Sequence, residues 1–111
     1  DNLCAIIDRN RLQISGCTED VMALENLEDK IKSFNWHVIH AEGNDIDSMD
    51  KAFEEAKNTK GKPTCIIANT VKGFGSVVTE NKASWHHKVP TAEEYEHIAK
   101  DFAQRKEALL S

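Results

Sequence analysis

Apolar positions along the chain change period several times, and each change marks an element. Leu3-Cys4-Ala5-Ile6-Ile7 is a short run that is apolar at consecutive positions and ends at Asp8-Arg9-Asn10. That pattern predicts a strand buried on both faces of a parallel sheet. After a polar turn containing Gly16, the residues Leu24, Leu27, Ile31 and Phe34 recur at three- and four-residue spacing. They predict an amphipathic helix over residues 24–34. Trp36-His37-Val38-Ile39-His40-Ala41 alternates like a strand and stops at the turn-rich Glu42-Gly43-Asn44. Ile46, Met49, Ala52, Phe53 and Ala56 then share one face of a second helix reaching Lys57, with Asp45 or Asp47 as its cap. A third strand follows at residues 63–68, with Pro63 at its entry, where no ladder donor is lost.

Strand, helix, strand, helix, strand predicts an α/β fold, a parallel sheet with flanking helices. Residues 69–90 make a connection longer than a compact domain keeps without a use for it, and they carry Gly73, Gly75 and the cluster Ser84-Trp85-His86-His87-Lys88. Thr91-Ala92-Glu93-Glu94 has the form of a capping box, and a terminal helix follows over about residues 92–109 with Tyr95, Ile98, Phe102 and Leu109 on its apolar side.

Composition narrows the class. The 111 residues are 40% hydrophobic and 30% charged, with 14 Lys and Arg against 19 Asp and Glu and a net charge of −5. The apolar share is that of one folded domain rather than a disordered tail. With no basic cluster there is no electrostatic footprint for nucleic acid, so an anionic ligand has to be met by local groups. No run approaches the roughly 18 apolar residues of a membrane span. No basic leader opens the chain, and the expected location is the cytoplasm. Cys4, Cys17 and Cys65 form no Cys-x-x-Cys pair. Cys4 and Cys65 lie in apolar runs, which predicts small core residues. The chain opens without Met and enters a strand almost at once, the form expected of part of a longer protein.

Open parallel sheets bind ligands beyond the carboxyl ends of their strands. Three segments occupy that position: residues 8–13, 42–45 and 69–76. In the first, the Asn10 side-chain oxygen and the Leu12 main-chain carbonyl are hard neutral donors suited to Mg²⁺ or Ca²⁺, although two oxygens do not complete a site. Asn10 could equally cap a turn. In the third, Lys72 stands beside two glycines, so one charge and several backbone N–H groups could meet a phosphate, unless the lysine is simply solvated on a flexible loop. Neither the Walker nor the dinucleotide glycine pattern occurs. His86 and His87 could donate to an anionic oxygen or pass a proton near neutral pH, or lie on the surface. His37 is expected at an edge, His40 near the cleft end of its strand, and His97 in solvent.

Four spans in order, Ile7-Asp8-Arg9-Asn10-Arg11-Leu12, Phe34-Asn35-Trp36-His37-Val38-Ile39, Glu42-Gly43-Asn44-Asp45 and Ala68-Asn69-Thr70-Val71-Lys72-Gly73-Phe74-Gly75, followed by Ser-Trp-His-x-Lys, resemble the thiamine-diphosphate-dependent transketolases. The resemblance is to their diphosphate-binding domain and runs from Leu3 into the last helix. It implies that the chain is the C-terminal part of that domain and that the parent enzyme moves a two-carbon ketol unit between sugar phosphates. It implies Asn10 and Leu12 as Mg²⁺ ligands, with Lys72 and His86 near the cofactor diphosphate and His86 near the substrate channel. Position 87 is His where the family has Gly, which leaves the choice of imidazole open. The family's Gly-Asp-Gly motif, whose Asp ligates Mg²⁺, does not occur among these residues. The remaining domains or a complementary subunit, and a dimer of the complete enzyme, are implied as partners. Two other readings stay open: a related thiamine-diphosphate synthase, and an inactive piece or split-subunit docking module.

Overall fold

The computed structural model describes residues Asp1–Ser111. Three parallel strands, β1 (Cys4–Arg9), β4 (His37–Glu42) and β5 (Thr64–Asn69), form one sheet in the order β1-β5-β4. Along the chain, β1 is followed before β4 by a two-stranded antiparallel ribbon of β2 (Leu12–Gln13) and β3 (Gly16–Cys17), the single turn α1 (Thr18–Val21) and the helix α2 (Leu27–Ser33). Helix α3 (Ile46–Asn58) joins β4 to β5, and α4 (Ala92–Leu110) ends the chain. By internal packing the chain falls into two compact units. The first comprises residues 1–10 and 22–70; the second comprises residues 11–21 and 71–111.

In the first unit β5 is central, and its apolar run Cys65-Ile66-Ile67-Ala68 is buried throughout. Ile39 and Ala41 of β4, Ala52 of α3 and Ile66 form the core, with Met49 and Ala56 packed against it. Ile66 has no exposed surface; burial of such a side chain contributes about 1.5–3 kcal/mol. Helix α3 starts where Asp45 accepts from the Ser48 N–H at 2.7 Å, so Asp45 rather than Asp47 is the cap.

Three expectations change. First, β1 is an edge strand rather than a doubly buried one. Ile6 is half exposed and Cys4 is exposed, because β5 occupies the centre and α3 packs on β4 and β5. Cys65 is the core cysteine. Second, α2 begins three residues later than the apolar period suggests. Asn26 caps it through the Asp29 N–H, and Glu25 sits at φ 51°, which takes Leu24 out of the helix. Phe34 falls at its C-cap and is largely exposed. Third, the polar turn around Gly16 is the β2–β3 ribbon, pairing Leu12 with Cys17 and Gln13 with Gly16.

In the second unit, Thr91 and Glu94 close the capping box reciprocally and start α4. Tyr95 and Leu109 remain largely exposed along that helix, and Phe102 is half-exposed. A single 3₁₀ turn covers Ala83–Trp85, in a segment whose sequence has no helical period.

Candidate functional site

In the first unit, register brings the strand ends together. Arg9 of β1 and Glu42 of β4 both pair with Asn69 of β5, so Asn10, Gly43 and Thr70 each leave the same edge of the sheet. The Gly43 N–H donates to the Asn69 carbonyl at 2.7 Å. A Cβ at Gly43 would lie 2.4 Å from Thr70 Cγ2 and 3.0 Å from Ala68 Cβ, so glycine is what allows the two turns to approach. The Thr70 hydroxyl donates to the Asp8 carboxylate. On the β4 side, the Glu42 N–H donates to Ser48 Oγ at 2.9 Å. A cavity of about 280 Å³ opens beside this turn, lined by Asn44, Asp45, Ile46, Met49 and Phe53 among others.

Leu12, Lys72 and His86 belong to the second unit. Leu12 lies in β2, and the Arg11 carbonyl just before it accepts from the Thr18 N–H at 2.9 Å. Lys72 opens a loop tied by hydrogen bonds. The Lys72 carbonyl accepts from the Asn81 N–H at 2.8 Å, and the Gly73 carbonyl accepts from the Thr79 hydroxyl at 2.6 Å. The two glycines do not leave an open row of donors. Gly75 is buried, its N–H donates to Glu80 Oε1 at 2.8 Å, and a Cβ there would meet Phe102 Cε1 at 2.4 Å. Lys72 itself is half-buried.

The Trp-His-His-Lys cluster is fastened to the start of α4. Lys88 Nζ lies 4.5 Å from the centre of the Trp85 ring and pairs with Glu94. That ammonium, with the Thr91 N–H second, holds the Glu94 carboxyl below its ordinary value. His86 and His87 are exposed and meet edge to face with centroids 4.3 Å apart. The remaining histidines have other partners: His37 Nε2 meets Glu55 at 2.7 Å and His40 Nε2 meets Glu28 at 3.0 Å. His97 is exposed. Burial first, and the Cys4 thiol second, push the Cys65 thiol up, away from nucleophilic use.

The donor chemistry suits a hard cation only in part. Asn10 and Leu12 offer neutral oxygens, and no three His, Cys, Asp or Glu side chains converge as a metal cluster. Diphosphate oxygens and a carboxylate from elsewhere would have to complete six-coordination. Sequence reasoning singled out Asn10, Leu12, Lys72 and His86 as candidates and passed over Gly43, Ser76 and Asp101, which hold the neighbouring turns. Gly43 could be read only as part of a turn, and the partners of the other two lie 25 and 24 residues away along the chain.

A parallel α/β sheet with turns gathered at its carboxyl edge belongs to the open-sheet class, in which ligands bind beyond the strand ends. The profile described as the transketolase thiamine diphosphate binding domain matches residues 1–108, and the chain belongs to that family. It is 46% identical over 109 residues to one subunit of the apulose-4-phosphate transketolase of Phocaeicola vulgatus, covering 98% of this chain and 39% of that protein. A 6-deoxy-6-sulfo-D-fructose transketolase subunit of Clostridium sp. strain MSTE9 is 42% identical over 93 residues, covering 84% of this chain and 34% of that one. The transketolase structure from Campylobacter jejuni superposes with a TM-score of 0.85 at 25% identity, covering 92% of this chain and 16% of the other. The chain thus spans between a third and two fifths of the length of these two curated relatives. No helix is long and apolar enough to cross a membrane.

Proposed function

We propose that this chain is the C-terminal part of the diphosphate-binding domain of a cytoplasmic transketolase, and that the complete enzyme transfers a two-carbon ketol unit between a ketose phosphate and an aldose phosphate. Thiamine diphosphate supplies the electron sink for that transfer when bound. The chain's own residues anchor it. Asn10 Oδ1 and the Leu12 carbonyl would hold Mg²⁺, or Ca²⁺ in its place, against the diphosphate, while the Lys72 ammonium and the His86 imidazole would donate to phosphate oxygens. His86 would also border the substrate and hold or pass a proton at its ring nitrogen. The observation that carries the reading is the position of Asn10 at the end of β1, on the edge where the β4 and β5 turns also emerge.

The rest of the site would come from the remaining transketolase domains or a complementary subunit, with a homodimer as the complete enzyme. The Phocaeicola vulgatus relative, itself one subunit of a transketolase, supports this, as do the exposed Tyr95, Phe102 and Leu109 along α4. The test is a titration of the complete enzyme with thiamine diphosphate at graded Mg²⁺. Asn10→Ala is expected to weaken Mg²⁺-dependent cofactor binding about tenfold, the loss of roughly 1.4 kcal/mol. Unchanged affinity would remove Asn10 from the ligand set. The same titration of His86→Ala and His87→Ala assigns the imidazole by the larger loss.

A further inference from the structure

Loop residues 72–82 lack regular secondary structure except for turns, so a few hydrogen bonds set where Lys72 sits. Two of those bonds reach one carboxylate of α4, and the others run within the loop. Asp101 Oδ2 accepts from the Ser76 hydroxyl at 2.6 Å and from the Val77 N–H at 3.2 Å. Ser76 is only 2% exposed, and its hydroxyl also accepts from the Val78 N–H at 3.2 Å. The Ser76 carbonyl in turn takes the Thr79 and Glu80 N–H groups at 3.0 and 2.9 Å. Thr79 then donates to the Gly73 carbonyl, and Asn81 to that of Lys72. The Phe102 ring, one residue along α4, closes on Gly75 with no room for a Cβ. A buried hydroxyl held by a carboxylate is stronger than a neutral pair and costs more to leave unpaired.

We propose that Asp101 is a positioning residue for cofactor binding. Through Ser76 and Val77 it fixes the loop that presents Lys72 to the diphosphate, and it touches neither cofactor nor substrate itself. The proposal rests on the reading of Lys72 as a diphosphate contact.

A cycle of variants in the complete enzyme separates the two. Thiamine diphosphate affinity at saturating Mg²⁺ is measured for Lys72→Ala, Asp101→Ala and the double variant, with kcat measured at saturating cofactor. Lys72→Ala is expected to raise Kd about tenfold and Asp101→Ala by a similar factor, with the double variant no weaker than Lys72→Ala alone. The kcat of Asp101→Ala at saturating cofactor should stay near that of the parent. Asp101→Asn, which retains the shape and an acceptor oxygen, should recover most of the affinity, and Ser76→Ala, which removes the hydroxyl bonded to Asp101, should repeat the Asp101→Ala loss and serves if that variant does not fold. A Lys72→Ala loss with unchanged affinity in Asp101→Ala, or in Ser76→Ala where the first does not fold, would overturn the proposal and leave the Lys72 reading standing. Additive losses would overturn it too, since Asp101 would then act by another route. Unchanged affinity in Lys72→Ala would overturn the Lys72 reading and the proposal together.

Discussion

The approach of the β4 and β5 turns at Gly43 makes a steric prediction with a built-in control. Gly43 has no left-handed backbone requirement, so alanine is conformationally admissible there and would gain about 0.4–1 kcal/mol by restricting the unfolded chain. Against that, its Cβ would stand 2.4 Å from Thr70 Cγ2, 3.0 Å from Ala68 Cβ and 3.3 Å from the Asn69 carbonyl oxygen. Ordinary carbon contacts lie at about 3.5–4.0 Å. The first contact is therefore short by about 1 Å, in strand ends held by the Gly43-to-Asn69 hydrogen bond. Overpacking of this kind costs about 1–3 kcal/mol, and the net effect of Gly43→Ala is a destabilisation of about 1–2 kcal/mol. Thr70→Ser deletes the offending methyl and keeps the hydroxyl that Asp8 accepts; alone it should cost no more than about 0.8 kcal/mol, the worth of one buried methylene. Combined with Gly43→Ala it should restore about 1 kcal/mol relative to the sum of the singles. Urea unfolding of the chain, followed by far-ultraviolet circular dichroism, resolves this. With an m-value near 1.5 kcal/mol/M, the alanine variant's midpoint moves by about 1 M. Strictly additive midpoint shifts, or a stabilised Gly43→Ala, would refute the steric account.

Two further outcomes follow from the core and from the start of α4. Ile66→Ala, at a site with no exposed surface, should cost about 2–5 kcal/mol. Ile6→Ala, opposite it on the half-exposed edge strand, should cost clearly less, and thermal melts showing the reverse order would contradict the assignment of β5 as the central strand. The Glu94 carboxyl is held low chiefly by Lys88, so its stabilising effect is complete above the ordinary carboxylate range and is lost as pH falls through its lowered value. Glu94→Gln should therefore flatten the acid limb of an unfolding-against-pH curve, and an unchanged limb would remove Glu94 from the linkage.

Much of the fold was legible because its signals are local. The unbroken apolar run of β5, an aspartate cap at Asp45 or Asp47 and the Thr91-x-x-Glu94 box each depend on residues within a few positions of one another, and the structure shows the strand and the box formed and selects Asp45 as the cap. What misled was a local signal overruled by another. The apolar period through Leu24 suggested an earlier helix start, but the Asn26 cap and the left-handed Glu25 set it at Leu27. Composition alone could not tell β1 from β5. Both are apolar runs, and only the strand order decides which has neighbours on both sides. At the candidate site, motif and residue type suggest donors, whereas the contacts that hold their loops are not visible in the sequence. Asp101 looks like any charged position on a helix until the fold brings Ser76 to it.

The strand order also ranks the entropic cost of assembling the sheet. Ile39 meets Ile66 across an intervening chain of 27 positions, whereas Ile6 meets the same residue from sixty positions away. Closing the larger loop costs about 0.7 kcal/mol more, and β1 brings only an exposed edge in return. Loop closure therefore favours the β4–α3–β5 unit over the β1–β5 pairing. Asn10 follows the strand with the costlier closure, so the metal-facing oxygen proposed there depends on the sheet's least favoured pairing.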